Sequence, residues 1–206
     1  MEQVQINTGE TNDIKFAFSY TKLRDVLSFL ASKVGPLDSL KAAKLIYFAD
    51  RMHLLKYGTP ITGDYYVHRE HGPIPSKSLD LIRDFLCQDG DRNYAPKEEL
   101  SRLAKRFDIG RVGKYPALII KKEYAPQSLS PSEIEALTGT VTTLGKYSGW
   151  YLRTLSHEHG TWKDTKEGQI IDFRLFFAEV HGEADEAFDL MLATQEDRDF
   201  VAFIND

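Results

Sequence analysis

Asp50, Arg51 and His53 fall within a single helical turn of an otherwise apolar stretch. Residues three apart are neighbours on a helix, so Asp50 and His53 share a face while Arg51 points elsewhere. A carboxylate beside an imidazole can hold a partner or a small ligand. It can equally lock a helix onto the loop that follows, as a buried polar network. Just downstream come Asp64, Tyr66 and then His71-Gly72-Pro73-Ile74-Pro75, and near the far end of the chain His157-Glu158-His159 precedes Trp162. Histidines two apart face opposite sides of a helix, whereas a zinc-binding helix sets two of them four apart; no metal is assigned. Cys87, the sole cysteine, has no histidine near it in sequence. It reads as a small buried hydrophobe rather than a nucleophile. There is no G-x-S-x-G elbow, and Gly110-Arg111-Val112-Gly113-Lys114 lacks the spacing of a phosphate loop. No catalytic residue and no cofactor are therefore assigned.

The elements that must position these groups are mostly helices. Leu23, Val26, Leu27, Leu30 and Val34 recur at helical spacing, with Ser19 or Thr21 as cap and Gly35-Pro36 as stop. Asp38 caps a second helix that runs to about Tyr57, with Gly58 placed to end it in the left-handed region. That helix is apolar almost all round, leaving Lys41, Lys44 and Arg51 as a narrow polar stripe, the pattern of a central buried helix. Asp64–Arg69 reads as a short strand, and Pro73 and Pro75 are expected to prevent regular pairing beyond it. Ser76 is the expected cap of a third helix, and Lys97–Ala104 of a short fourth one. Between Phe107 and Ile120 the glycines and Pro116 predict a hairpin with a loose connection. Ser130-Pro131-Ser132-Glu133 is a capping box with proline at the first helical position. Ser148 starts a helix ending near His157, and Asp172–Val180, Asp185–Leu192 and Glu196–Ile204 read as further helices. Tyr57, Tyr65, Tyr66, Trp150 and Trp162 stand beside loops, which favours a surface for another protein.

The 206 residues are 42% hydrophobic, enough for a real core. The apolar runs fall far short of a membrane helix, and the polar N-terminus has no signal-peptide pattern. With one cysteine, these features predict a cytoplasmic protein without a membrane partner. The net charge of -5 and the scatter of Arg102, Lys105, Arg106, Arg111, Lys114, Lys121 and Lys122 read as solvated faces, not as a nucleic-acid footprint.

Two segments resemble a known family. The first comprises Lys44 to Arg51, then His53-Leu54, Tyr57-Gly58, Pro60 to Asp64, Tyr66-Val67 and Gly72 to Pro75. The second comprises Leu129-Ser130, Glu133-Ile134, Ser148, Leu152, Leu155, His157 and Trp162. Together they resemble the Panacea domain, the SocA-like antitoxin domain. The resemblance implies a mainly α (α+β) fold: a single helical domain with a short strand and a small antiparallel β-hairpin. It implies an antitoxin that neutralises a toxin encoded nearby by direct protein–protein binding. Alternatives are an adaptor delivering the toxin to a cytoplasmic protease, or an enzyme with a polar pocket around Asp50, Arg51 and His53. A protease or chaperone partner and a homo-oligomer are further expectations. The expected layout is a flexible lead over 1–18, the antitoxin domain over 19–167 and a helical extension over 168–206. The candidate partner-binding or structural network comprises Tyr47, Asp50, Arg51, His53, Asp64, Tyr66, His71, His157 and Trp162.

Overall fold

The computed structural model describes residues 16–87, 94–122 and 125–181. Helix α1, Tyr20–Val34, starts where the Ser19 side chain accepts from the Lys22 N–H, and the Gly35 N–H closes its last turn on Ala31. Two residues of strand β1, Leu37–Asp38, lead into α2, Ser39–Tyr57. Asp38 caps α2 by accepting from the Lys41 N–H at 2.9 Å. Gly58, at φ +77°, ends it in the left-handed region. Ala42 to Tyr47 are all buried in succession, so α2 is enclosed on every side, as its composition predicts.

A hairpin of β2 (Tyr66–Arg69) and β3 (Gly72–Pro75) precedes α3, Ser76–Cys87, and α4, Lys97–Ala104. Strands β4 (Phe107–Val112) and β5 (Tyr115–Ile120) form a second hairpin, and β1 pairs along the outer side of β5, giving the order β1-β5-β4. Helices α5 (Pro131–Leu144), α6 (Gly149–His157), α7 (Gly160–Lys163) and α8 (Arg174–His181) complete the described residues. Among them, helices α1, α3, α5, α6 and α8 pack against α2. The fold is mainly helical with small antiparallel sheets. The α5 start is the capping box read from sequence: Ser130 accepts from the Glu133 N–H, and Glu133 accepts from that of Ser130.

Several expectations need correction. Pro73 and Pro75 do not prevent pairing: β3 pairs in register with β2, His68 opposite Pro73 and Tyr66 opposite Pro75. The prolines are two apart, so both occupy the phase of the ladder in which an N–H would point away from the partner strand, and neither missing donor is needed. On the other side of β2 the His68 N–H donates to Gln169, and the Gly168 and Ile171 N–H groups donate to His68 and Tyr66. The connection between β4 and β5 is tight rather than loose, a turn at Gly113-Lys114 with Gly113 at φ +59°. The cap of α3 comes from Asp64, which accepts from the Lys77 and Ser78 N–H groups, and not from Ser76. Cys87 is exposed, and Tyr66 is buried, so neither occupies the environment its sequence position suggests. The expected helices Asp185–Leu192 and Glu196–Ile204 lie outside the described residues.

Two large apolar cores flank α2, with a small third cluster of Ala43, Ile74 and Leu79 beside them. The larger joins α1, α2, α3, α5 and the β4–β5 hairpin through residues such as Leu27, Leu45, Leu81, Phe107 and Leu137. The smaller gathers Tyr47, Leu54 and Tyr66 against Ile171, Phe173 and Phe176. Chain beyond residue 168 thus supplies half of the second core, each aromatic burial being worth about 1.5–3 kcal/mol.

Candidate functional site

Asp50 sits at the inner face of α2 and is 2% exposed. Its Oδ1 accepts from the Ile61 and Thr62 N–H groups at 2.9 and 3.1 Å. Its Oδ2 accepts from the Thr62 hydroxyl at 2.6 Å and the Tyr66 hydroxyl at 2.8 Å. Burial raises its pKa to about 6, against the lowering effect of the Thr62 and Tyr66 hydrogen bonds. Burial, and then the Asp50 charge, raise the Tyr66 phenol well above its ordinary value. With its acceptor sites filled from within, Asp50 ties the Thr59–Asp64 turn to α2 and offers a substrate nothing. Asp64 repeats the device: it accepts from Tyr65, Lys77 and Ser78 and so fixes the start of α3 relative to the same turn.

The neighbours of Asp50 diverge. His53 Nδ1 lies 2.5 Å from the Thr59 carbonyl oxygen, which requires the proton on Nδ1, while Nε2 lies 3.1 Å from the Ser132 hydroxyl. His53 thereby joins the turn to the start of α5. Arg51 pairs at 2.6 Å with Glu179 of α8, and the other Glu179 oxygen accepts from the Thr161 N–H. Tyr47 reaches His159 Nδ1 at 2.6 Å. Burial, then Arg51, hold that imidazole down at about pKa 4, and burial raises the Tyr47 phenol.

A third group lies where α2 meets the β2–β3 hairpin and α6. Lys44 is 0% exposed. Its Nζ donates to the Pro73 carbonyl at 2.8 Å, the outward-facing oxygen that the proline register leaves for it. Burial, then the Arg153 charge, lower the Lys44 pKa to about 7. Above the ammonium lies Gly72 at φ +83°, where a Cβ would fall 2.5 Å from the Ser156 hydroxyl and 2.7 Å from Lys44 Nζ. His157 stacks on Trp162 at 4.0 Å between ring centres, and His68 stacks on it at 4.6 Å. Burial, then Arg153 and Lys44, hold His157 down at about pKa 4. His71 packs edge-on against Trp150.

The structure therefore distributes the sequence-derived residues over three places. Asp50, Asp64, Tyr66 and His53 hold the Thr59–Asp64 turn; Tyr47 and Arg51 face α7 and α8; His71, His157 and Trp162 flank the hairpin. Among the described residues no group of histidine, cysteine and carboxylate side chains could hold a metal ion. Lys44 was legible only as part of a polar stripe. The signal for its burial is the unbroken apolar run on both sides, Ala42-Ala43 and Leu45-Ile46-Tyr47.

The third of these groups borders a concave surface. His71, Ile74 and Ala43 form one wall of a groove of about 470 Å³, with Leu79 and Arg83 of α3, the β4–β5 turn and Trp150 of α6 around the rest. Trp150 is 51% exposed and Tyr115 46%, an apolar rim rich in the residues that dominate protein–protein hot spots.

No described helix is long and apolar enough to cross a membrane. Comparison with curated proteins returns no match, and comparison with solved structures returns none either. The family model described as antitoxin SocA-like, Panacea domain matches residues 43–163. That span runs from the second turn of α2 through the Asp50 turn, the β2–β3 hairpin and most of the groove to α7. The chain belongs to the SocA-like, Panacea-domain antitoxin family.

Proposed function

We propose that this protein is an antitoxin that neutralises a cognate toxin by binding it directly, and that the toxin seats on the groove between Ile74, Tyr115 and Trp150. Family membership over residues 43–163 is the observation that carries the reading. The groove adds a place: its lining is largely apolar, its rim presents Trp150 and Tyr115, and Asp38, Arg83 and Lys114 give it charges of both signs for register. The filled acceptors of Asp50 and the complete burial of Lys44 favour a binding role over a catalytic one, because neither group can meet a substrate.

The test is co-expression with the protein encoded beside it. The neighbour alone arrests growth, and co-expression restores growth with the two proteins co-purifying. Trp150→Asp, at an exposed position, abolishes rescue and co-purification while its thermal transition stays within a few degrees of the parent. Rescue without a complex, with a shortened toxin half-life, would instead establish delivery to a protease. Full rescue by Trp150→Asp would move the toxin surface elsewhere.

A further inference from the structure

A second concave site lies at the other end of the β4–β5 hairpin from the groove. Arg24 of α1, Arg102 of α4, Lys105 and Arg106 of the turn before β4, and Lys122 just after β5 line one cavity of about 350 Å³. These five cations come from three separate stretches of a chain whose net charge is -5, so their convergence runs against the bulk charge. Four of them read from sequence as solvated faces together with Arg111, Lys114 and Lys121; folding separates Arg102, Lys105, Arg106 and Lys122 from the rest and adds the buried Arg24.

The guanidinium groups are held in place from beneath. Glu99 accepts from both Arg24 and Arg102, and Thr21 accepts a second Arg24 donor. Asp25, 1% exposed, accepts from Arg106 at 2.6 Å. Burial would raise the Asp25 carboxyl, but the Ser128 and Arg106 hydrogen bonds outweigh it and keep the pKa below its ordinary value. The carboxylate therefore stays charged and keeps Arg106 fixed. Among the described residues, Glu99 and Asp25 are the carboxylates paired with any of these five cations. Lys105 and Lys122 are exposed and make no ion pair among the described residues. Arginines pre-positioned by buried carboxylates, with exposed lysine charges beside them, suit an anion with several oxygens in a compact array. The volume is that of a small-molecule site.

We propose that this cavity binds an oligophosphate group, free or carried on a nucleotide, and that it acts independently of the toxin-binding groove. The purified full chain is titrated calorimetrically with sodium triphosphate, with ATP, and with a glutamate peptide of matching charge. Triphosphate binds, and Lys105→Glu/Lys122→Glu weakens it by at least about tenfold, the loss of two charge-assisted contacts. Lys146→Glu/Lys166→Glu, which changes net charge equally but at exposed positions outside both the cavity and the groove, leaves binding within about twofold because distant surface charges are screened. ATP binding more tightly than triphosphate assigns a nucleotide, and equal binding assigns the oligophosphate alone. The proposal is overturned by no binding of either anion, by an equal loss in the control pair, or by glutamate peptide binding as tightly as triphosphate. Growth rescue by the Lys105→Glu/Lys122→Glu protein separates this site from the antitoxin reading.

Discussion

At the residue scale the structure turns on buried charges that are satisfied locally. Asp50 is neutralised by no cation; four donors from Ile61, Thr62 and Tyr66 replace its water. Asp50→Ala would strand those donors, each at about 1–3 kcal/mol, so a loss of at least about 3 kcal/mol is expected in chemical denaturation. The pH dependence has a definite sign at three groups. Asp50, raised from 3.8 to about 6, binds its proton more tightly when folded, so its contribution falls as pH rises through that window. His157, lowered from 6.5 to about 4, acts the other way, and its contribution is lost as pH falls below 6.5. Lys44, lowered from 10.5 to about 7, makes the fold more stable as pH rises from 7 toward 10.5. Lys44→Met, close in length and uncharged, is expected to flatten that alkaline rise; stability curves measured from pH 7 to 10 for both proteins would show it, and an unchanged slope would refute it. None of these partners is visible in the sequence. The helix spacing places Asp50 beside His53, but what each side chain meets is set by the turn that folds back on them.

At the element scale the β2–β3 hairpin is the part that sequence rules misjudged. Two prolines in five residues argue against a strand, yet both sit in the phase where their absent N–H is not needed, and Lys44 takes the free Pro73 oxygen. Only register decides between those outcomes, and register depends on the partner strand. Gly72→Ala is expected to destabilise the hairpin twice over: positive φ costs a side chain about 1–2 kcal/mol, and the added methyl meets Ser156 and Lys44. A fall in thermal midpoint with early exchange of the β2 amides would report it. Helix starts were far more legible, because caps are local. Ser19, Asp38, Ser130 and Ser148 each accept from an amide three residues on. Asp64 is the exception, a cap delivered to α3 from the preceding loop, and sequence reasoning credited Ser76 instead. Asp64→Ala is expected to fray α3 from its first turn at about 1 kcal/mol or more, detectable as lost exchange protection at Lys77 and Ser78.

At the scale of the whole molecule, four buried aspartates stitch separate segments together, Asp25, Asp50 and Asp84 from helices and Asp64 from the loop before β2. Asp25 holds Gln127-Ser128, Asp50 holds Ile61-Thr62, Asp64 holds Lys77-Ser78, and Asp84 holds Tyr94-Ala95. The segment after residue 168 is bound in the same spirit, by backbone bonds to β2 and by Phe173 and Phe176 in the core beside Tyr47. Ending the chain at residue 167 is therefore expected to expose Leu54, Tyr47 and Tyr66 and to yield a dye-binding or insoluble product; a soluble fragment with the parent's thermal transition would show that the extension is dispensable. By itself the sequence determined helices α1 to α6 and α8, most of their local caps, the burial of α2 and the family, because periodicity, capping and an ordered motif are all carried by residues close together along the chain. Tertiary structure alone filled the acceptors of Asp50 with donors from the Thr59–Asp64 turn and Tyr66. It also buried Lys44 under a proline carbonyl, opened a groove beside Trp150 and gathered five scattered cations around one cavity. Each of those outcomes depends on contacts between segments far apart in sequence, and no local pattern encodes which segments will meet.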